Sequence, residues 1–124
     1  MNKFVKTISK RKLYTEYLRT INGIVDLTER EIQILGAMMV IQNNLGDTRQ
    51  IVGSITSTGI RKKMFEDLGI TKSNYIGYIN TFKKKGLLTN VGDGMYFVND
   101  KLFPVVIGDR VQITIVLKLD ETNK

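Results

Sequence analysis

Residues 57–88 read STGIRKKMFEDLGITKSNYIGYINTFKKKGLL, and this stretch decides the fold of the chain. Its apolar side chains recur at the 3.6-residue period of two helices, which Gly69 separates and Gly86 ends. The first helix is predicted to begin with Ser57 or Thr58 as its N-cap. Its inward side chains are predicted to be Ile60, Met64, Phe65 and Leu68, and charged residues 61–63, 66 and 67 should mostly face water. Two helices joined by a tight glycine-containing turn are typical of a helix-turn-helix.

The second helix of this stretch carries its own start and stop signals. Thr71 is predicted to cap it by accepting a hydrogen bond from the backbone N–H near Asn74. Tyr75, Ile79 and Phe82 are spaced four and three residues apart, so they should face the core together. Residues 83–85 are three lysines at the helix C-terminus, where the helix dipole favours cations.

Three segments of this stretch together resemble the pattern of winged helix-turn-helix proteins, including MarR-type regulators. They are Leu68-Gly69-Ile70-Thr71, the stripe of Tyr75, Ile79 and Phe82, and Lys85-Gly86-Leu87-Leu88. The resemblance implies a β-hairpin, the wing, over residues 87–98, with strands LLTN and MYFV around a turn VGDG. Residues 94–110 also resemble the region after the helix-turn-helix in some plasmid replication-initiator winged helices. The implied fold is α+β, with about four helices and a C-terminal antiparallel sheet built from the wing hairpin and an extra strand pair.

The N-terminal segment is predicted to contain an amphipathic helix from Ser9 or Lys10 to about Asn22, ended by Gly23. Its apolar stripe consists of Leu13, Tyr14, Tyr17, Leu18 and Ile21. This stripe suits either packing within the chain or contact with a second copy. Both interpretations stay open at this level.

Residues 28–31, TERE, form a capping box that opens a helix reaching about Asn44. The middle of this helix has almost no polar side, so it should be central in the fold. Gly36 lowers helix propensity by about 1 kcal/mol relative to Ala, and a close helix crossing would explain its presence. Residues 45–56 are predicted to be a loop with a short strand at 51–52. Arg49 of this loop is a candidate for a phosphate contact, and a surface arginine without a partner is the equally favoured alternative.

The C-terminal region is predicted to add strands over residues 102–119. Residues 111–119, VQITIVLKL, alternate apolar and polar side chains and predict one strand of about nine residues. A turn at Gly108 and Asp109 would pair it with the segment containing Pro104. Extension of the wing sheet is the favoured interpretation, and an edge offered to a second copy or another protein is the alternative.

Composition and charge narrow the class of function. The 124 residues suit one domain, residues 13–124, preceded by a basic arm at residues 1–12. The absence of Cys and His excludes a zinc site and a Cys/His nucleophile, so no enzyme activity and no cofactor are predicted. No apolar run approaches 18 residues, so we expect no membrane span and a cytoplasmic location.

The net charge of +7 is concentrated in the arm and in residues 61–85, which suits neutralisation of phosphates. Arm residues Lys3, Lys6, Lys10 and Arg11 are candidates for the DNA backbone or a minor groove, and Arg61 is a candidate on the first helix of the motif. On the second helix the candidates for base or backbone contact are Lys72, Ser73, Asn74, Gly77, Tyr78, Asn80, Thr81, Lys83 and Lys84.

The sequence therefore predicts a small winged-helix protein that binds double-stranded DNA as a transcriptional regulator or replication accessory factor. A homodimer through the N-terminal helix or the C-terminal strands is a further expectation. The recognition helix lacks Arg, the commonest reader of guanine, and carries Ile76 beside Gly77. An adaptor that binds a polymerase or another replication protein is therefore the alternative function.

Overall fold

The computed structural model describes residues 4–45, 58–92 and 95–121. The five α-helices of these ranges are α1 (Leu13–Thr20), α2 (Asn22–Val25), α3 (Glu29–Leu45), α4 (Thr58–Leu68) and α5 (Lys72–Lys84). The strands are β1 (Leu88–Gly92), β2 (Met95–Val98), β3 (Val105–Ile107) and β4 (Arg110–Gln112), and short 3-10 turns occupy Lys10–Lys12 and Asp100–Leu102. The predicted α+β class is confirmed, and the layout is compatible with that of a winged helix-turn-helix.

The central helix is α3, as its sequence predicts. The capping box forms in full, because Glu31 N–H donates to Thr28 Oγ1 over 3.2 Å and Thr28 N–H donates to Glu31 Oε1 over 2.8 Å. The side chains buried on this helix cover more than one face: they are Ile32, Ile34, Leu35, Met38, Met39 and Gln42. A helix covered on several sides has to be largely apolar, which is why it lacks a clear polar face.

The close helix crossing expected at Gly36 is present, and its partner is α1. A β-carbon at position 36 would lie 2.8 Å from Thr15 Cγ2. Thr15 is held in place because its hydroxyl donates to the carbonyl of Lys12 over 3.1 Å. Glycine therefore lets α1 approach the middle of α3.

The predicted end of the N-terminal helix is wrong. A 3-10 turn precedes α1, α1 ends at Thr20, and α2 then includes Gly23 instead of stopping there. The chain turns at Asp26, whose φ is 54°. The Asn22 side chain stabilises this turn, since its amide donates to the Leu27 carbonyl over 3.0 Å and its oxygen accepts from the Leu27 N–H over 2.8 Å.

The apolar stripe of α1 belongs to the core of its own chain. Tyr17, Leu18 and Ile21 are buried, and Tyr14 packs edge-on against Phe103 with ring centroids 5.9 Å apart. Of the two interpretations of this stripe, packing within the chain is the one observed. A dimer contact through the same side chains would require them to leave the core.

The unit formed by α4 and α5 closely follows its prediction. Gly69 and Gly86 have φ values of 64° and 73°, and Thr71 Oγ1 accepts from the Asn74 N–H over 3.2 Å. The stripe of Tyr75, Ile79 and Phe82 is buried, and on α4 Met64 is buried while Phe65 and Leu68 are half-buried. Phe65 meets Tyr75 edge-on at 5.3 Å between ring centroids.

Two cations fix this unit to the rest of the chain through backbone carbonyls. The Arg30 guanidinium at the start of α3 donates to the Leu68 carbonyl at the end of α4. The Lys85 ammonium, just after α5, donates to the Asp26 carbonyl at the bend between α2 and α3. The turn between the two helices and the end of α5 are therefore held by charge-assisted hydrogen bonds to neutral oxygens.

The predicted wing hairpin forms and is anchored to α3 by a buried side chain, although β1 continues to Gly92 into the predicted turn, whose residues 93 and 94 lie outside the described ranges. β1 and β2 pair antiparallel, with Leu88 opposite Val98 and Thr89 opposite Phe97. Gln42 is only 2% exposed. Its Nε2 donates to the Val98 carbonyl over 3.0 Å, and its Oε1 accepts from the Val98 N–H over 2.6 Å. The glutamine amide thus bonds to β2 as a neighbouring strand would.

The C-terminal hairpin differs from its prediction in length and in placement. Val105 pairs with Gln112 and Ile107 with Arg110 around the expected turn at Gly108 and Asp109. Each strand has three residues, and 113–120 have no regular secondary structure, so the nine-residue strand is wrong. The favoured extension of the wing sheet is also wrong, because β3 and β4 form a separate two-stranded sheet. Alternation along 111–119 creates a strand-like pattern, but a strand also needs a partner to pair with.

Several predictions fall outside the described residues. They are the cap at Ser57, the loop and short strand within 46–56 with Arg49, and the arm residue Lys3. In the ranges that are described, no helix is long and apolar enough to cross a membrane.

Candidate nucleic-acid interface

The side of α5 that faces away from the core is polar at its start, apolar in its middle and basic at its end. We call its exposed residues the outward face of α5: Lys72, Ser73, Asn74, Ile76, Gly77, Asn80, Lys83 and Lys84. The buried stripe of Tyr75, Ile79 and Phe82 fixes the rotation of the helix and so determines which residues point outward. The sequence of α5 contains no Asp or Glu. The helix therefore presents a face on which every charge is positive.

Two residues predicted to read bases are only partly accessible. Tyr78 is half-buried and stacks on Phe82, with ring centroids 6.4 Å apart and planes 25° apart. Thr81 is also half-buried. Both lie at the border of the buried stripe, so the outward face is narrower than the sequence predicts.

Lys83 connects the outward face of α5 to the wing. Its ammonium lies 4.8 Å from the centroid of the Tyr96 ring in β2. Gln42 holds β2 from the other side through Val98. Sequence reasoning missed both contacts, because neither a lone Gln in a helix nor a lone Tyr in a strand follows a recognisable pattern.

The carboxylates of the N-terminal region engage cations of that same region. Lys6 Nζ lies 3.0 Å from Glu16 Oε2, and Arg19 Nη1 lies 2.7 Å from Glu16 Oε1. Arg19 Nε also donates to Glu29 Oε1 over 3.1 Å. The hydrogen bond from Lys6 lowers the pKa of Glu16, and the hydrogen bond from Arg19 lowers the pKa of Glu29.

The lysines of α5 are in a different electrostatic position. Within the described part of the chain, no carboxylate lies within ion-pair distance of Lys72, Lys83 or Lys84. The carboxylates of this part of the chain therefore leave the charges of these lysines unneutralised. Lys85, by contrast, donates to the Asp26 carbonyl and so stabilises the fold.

Arg61 does not join the outward face of α5. It was predicted to face water on α4, but it is half-buried and its charge acts on the buried Tyr75 hydroxyl. Burial raises the pKa of Tyr75 to about 12, and the positive charge of Arg61 opposes this rise. Arg61 faces inward because it is on the side of α4 that packs on α5, so the nucleic-acid role predicted for it has no support in this position.

Lys10 and Arg11 of the basic arm make no direct contact with the described residues of the helix-turn-helix unit. Lys10 and Arg11 are exposed in the 3-10 turn before α1. No hydrogen bond, ion pair or ring contact between described residues joins them to α5 or to the wing.

The centre of the outward face is apolar and open. Ile76 is 48% exposed, which settles that it is not covered by the N-terminal helix. A β-carbon at Gly77 would meet nothing within 4 Å. A glycine inside a helix is unfavourable by about 1 kcal/mol relative to Ala, and no contact with a described residue explains Gly77.

The wing adds uncharged side chains beside α5. Thr89, Asn90, Val91 and Met95 are exposed, and the Asn90 side chain accepts from the Gly92 N–H over 2.8 Å, which shapes the strand end. Among the described residues, no group of three or more Asp and Glu side chains is placed to hold a metal ion. The chain matches no protein-family model, no curated protein and no solved structure.

Proposed function

We propose that this protein is a winged-helix protein that binds double-stranded DNA, with α5 entering the major groove, and that it acts as a transcriptional regulator or replication accessory factor. One observation carries the proposal. The outward face of α5 presents lysines at both ends, without a neighbouring carboxylate in the described residues. A face of this charge attracts phosphates and releases their counterions. The proposed role is binding rather than catalysis.

The first turn of α5 is the part best suited to base edges. Lys72, Ser73 and Asn74 are all exposed there, and the N-terminal residues of a recognition helix are the ones that usually reach into the groove. Asn74, and Asn80 six residues later, have the amide geometry that pairs with adenine. Lys72 suits either guanine or a phosphate, and the positive end of the helix dipole favours the phosphate.

The last turn of α5 is the part best suited to the DNA backbone. Lys83 and Lys84 are exposed at the helix C-terminus, away from the residues that would enter the groove. Contact with the Tyr96 ring holds Lys83 beside the wing, so a wing lying along the duplex would bring Lys83 close to the same strand. These two lysines should contribute affinity with little sequence preference.

Titration of a labelled duplex across salt concentrations tests the proposal. Three phosphate contacts per chain, from Lys72, Lys83 and Lys84, give a slope of about −2.7 for log K against log salt, or about 40-fold weaker binding at 200 mM than at 50 mM salt. Replacing Lys83 and Lys84 by Ala should reduce the slope to about −0.9 and weaken all sequences alike. Absence of binding at low salt would refute the proposal.

Sequence discrimination is tested with DNA selected from a random pool. The variant carrying Lys72→Ala and Asn74→Ala should lose preference for the selected sequence by about 10-fold or more, since a good side-chain pair discriminates by about 1–3 kcal/mol. The variant carrying Lys101→Ala and Asn43→Ala is the matched control, because it also removes one lysine and one asparagine, and both residues are exposed outside α5. If both variants change discrimination equally, α5 is not the reader.

The exposed Ile76 and the open surface at Gly77 favour a second candidate, a protein adaptor for a polymerase or replication component. A glycine lets a partner backbone approach closely, and an apolar neighbour adds buried area. Ile76→Ala removes this apolar area without changing the charge of α5, so it should weaken capture of such a partner while leaving the salt-dependent DNA slope nearly unchanged. Retention of the partner by this variant would eliminate the adaptor.

A further inference from the structure

The run 111–119 has the sequence of a strand, but most of it is unpaired in the single chain. β4 ends at Gln112, although apolar side chains continue at every second position up to Leu119. Exposure along this face rises from 37% at Ile113 and 47% at Ile115 to 82% at Leu117 and 87% at Leu119. Among the described residues, no strand pairs with 113–119.

The apolar surface left open here is large for a chain of this size. Between residues 105 and 119, eight Val, Ile and Leu side chains are 37–87% exposed. The four on the alternating face, at positions 113, 115, 117 and 119, offer on the order of 500 Å² per chain, which is within the roughly 300–600 Å² of the largest patch on a typical monomer.

Part of the apolar face of this run lines a groove. A groove of about 470 Å³ lies between α2 and the C-terminal hairpin, and its lining includes Ile24, Val25 and Phe103. Ile113 and Ile115 line it from the C-terminal side, while Ile24 remains 60% exposed. The groove is therefore only partly filled by its own chain.

We propose that residues 111–119 pair antiparallel with the same residues of a second copy, so that two C-terminal hairpins form one four-stranded sheet. The run is self-complementary about Ile115. In the register that places Ile115 opposite its own copy, Val111 faces Leu119 and Ile113 faces Leu117 of the second copy. Every pair on the apolar face is then apolar on both sides, as an isologous two-fold interface requires.

The other face and the strand ends fit the same register. Gln112 lies opposite Lys118, so the lysines do not face each other, and Arg110 lies opposite Asp120, so opposite charges meet. This pairing also places Leu117 of each chain opposite Ile113 of the other, which lines the groove of that copy. A strand of an unrelated protein would not be expected to match both faces in this way, which is why the second copy is the occupant.

Disulfide cross-linking tests the register directly, since the chain has no native Cys. In an antiparallel pair, residues opposite each other have Cα atoms about 4.5 or 5.5 Å apart, within the range of about 4.4–6.8 Å that a disulfide spans. Ile115→Cys should therefore give a covalent dimer on mild oxidation without nucleic acid. Leu117→Cys is the matched control: it lies on the same face, but the two copies of position 117 would be about 13 Å apart along the strands.

Sedimentation of the full chain, again without nucleic acid, provides the second measurement. The native sequence should sediment as a dimer, and Ile115→Asp should weaken self-association at least 100-fold while the helical circular dichroism is retained. A native chain that stays monomeric at all concentrations, or equal cross-linking of the two Cys variants, would overturn the proposal. A monomeric chain that instead captures another protein through this run would overturn it as well. Neither measurement depends on DNA binding.

Discussion

Replacing Gln42 by Leu should detach the wing from the core and substantially lower the free energy of unfolding. Leucine is similar in volume to glutamine and suits the apolar surroundings, so little cavity is created. The change removes both hydrogen bonds to the backbone of Val98, a residue that is only 1% exposed. A buried N–H and a buried carbonyl then lack their partner, at about 1–3 kcal/mol each, so the free energy of unfolding should fall by about 2–6 kcal/mol.

Urea unfolding followed by circular dichroism measures this loss. A small domain has a free energy of unfolding of only about 5–15 kcal/mol, so the expected change is a large fraction of the whole. For a chain of this length it corresponds to a decrease in Tm of about 6–25 °C. Hydrogen exchange should show that the Val98 amide loses its protection, since its acceptor is gone.

Asn43→Leu is the matched control for Gln42→Leu. Asn43 is the next residue of α3 and is exposed, so the same kind of replacement should alter stability by no more than about 0.5 kcal/mol. A Gln42→Leu variant within 1 kcal/mol of the native protein would refute the reasoning. So would a Val98 amide whose exchange is unchanged, because it would show that the glutamine does not hold β2.

Two further predictions concern the packing of the helices. Gly36→Ala should lower the free energy of unfolding, measured in urea, by about 1–2 kcal/mol, because overpacking against Thr15 Cγ2 exceeds the gain in helix propensity. The same change in a Thr15→Ser background, which lacks this methyl group, should be neutral or stabilising. Equal losses of stability in both backgrounds would contradict the close helix crossing. Tyr75→Phe should stabilise by up to about 1–2 kcal/mol, because the buried Tyr75 hydroxyl has no hydrogen-bond partner among the described residues. Since the folded pKa is raised to about 12, native stability should fall as the pH rises from 10 towards 12, and the Phe variant should show a smaller fall, because the pKa values of Tyr14 and Tyr17 are also raised by burial.

The helix-turn-helix unit could be predicted from the sequence because its signals are local. The capping box at Thr28, the cap at Thr71 and the two glycines at positive φ each act within a few residues of themselves. The buried stripe of α5 follows from helical spacing alone. These features also predict which side of α5 faces outward, apart from the half-buried Tyr78 and Thr81.

The remaining features depend on residues distant in sequence. Gln42 and Val98 are 56 positions apart, and nothing near either residue predicts that an amide will replace a strand. The bend at Asp26 required the side chain of Asn22, whereas Gly23 was the stronger local signal. Alternation along 111–119 predicts a strand, but it cannot say which partner completes the sheet.

The anchoring of α4 and α5 by Arg30 and Lys85 has a consequence for acid unfolding. Both cations donate to carbonyl oxygens, which do not titrate between pH 2 and 7. The contacts of Glu16 and Glu29 do titrate: because their pKa values are lowered, the stability they contribute is present above the ordinary carboxyl pKa and is lost as the pH falls through the folded values. Acid should therefore release residues 4–12 and loosen α1 first, while the helix pair and its outward lysines keep their place.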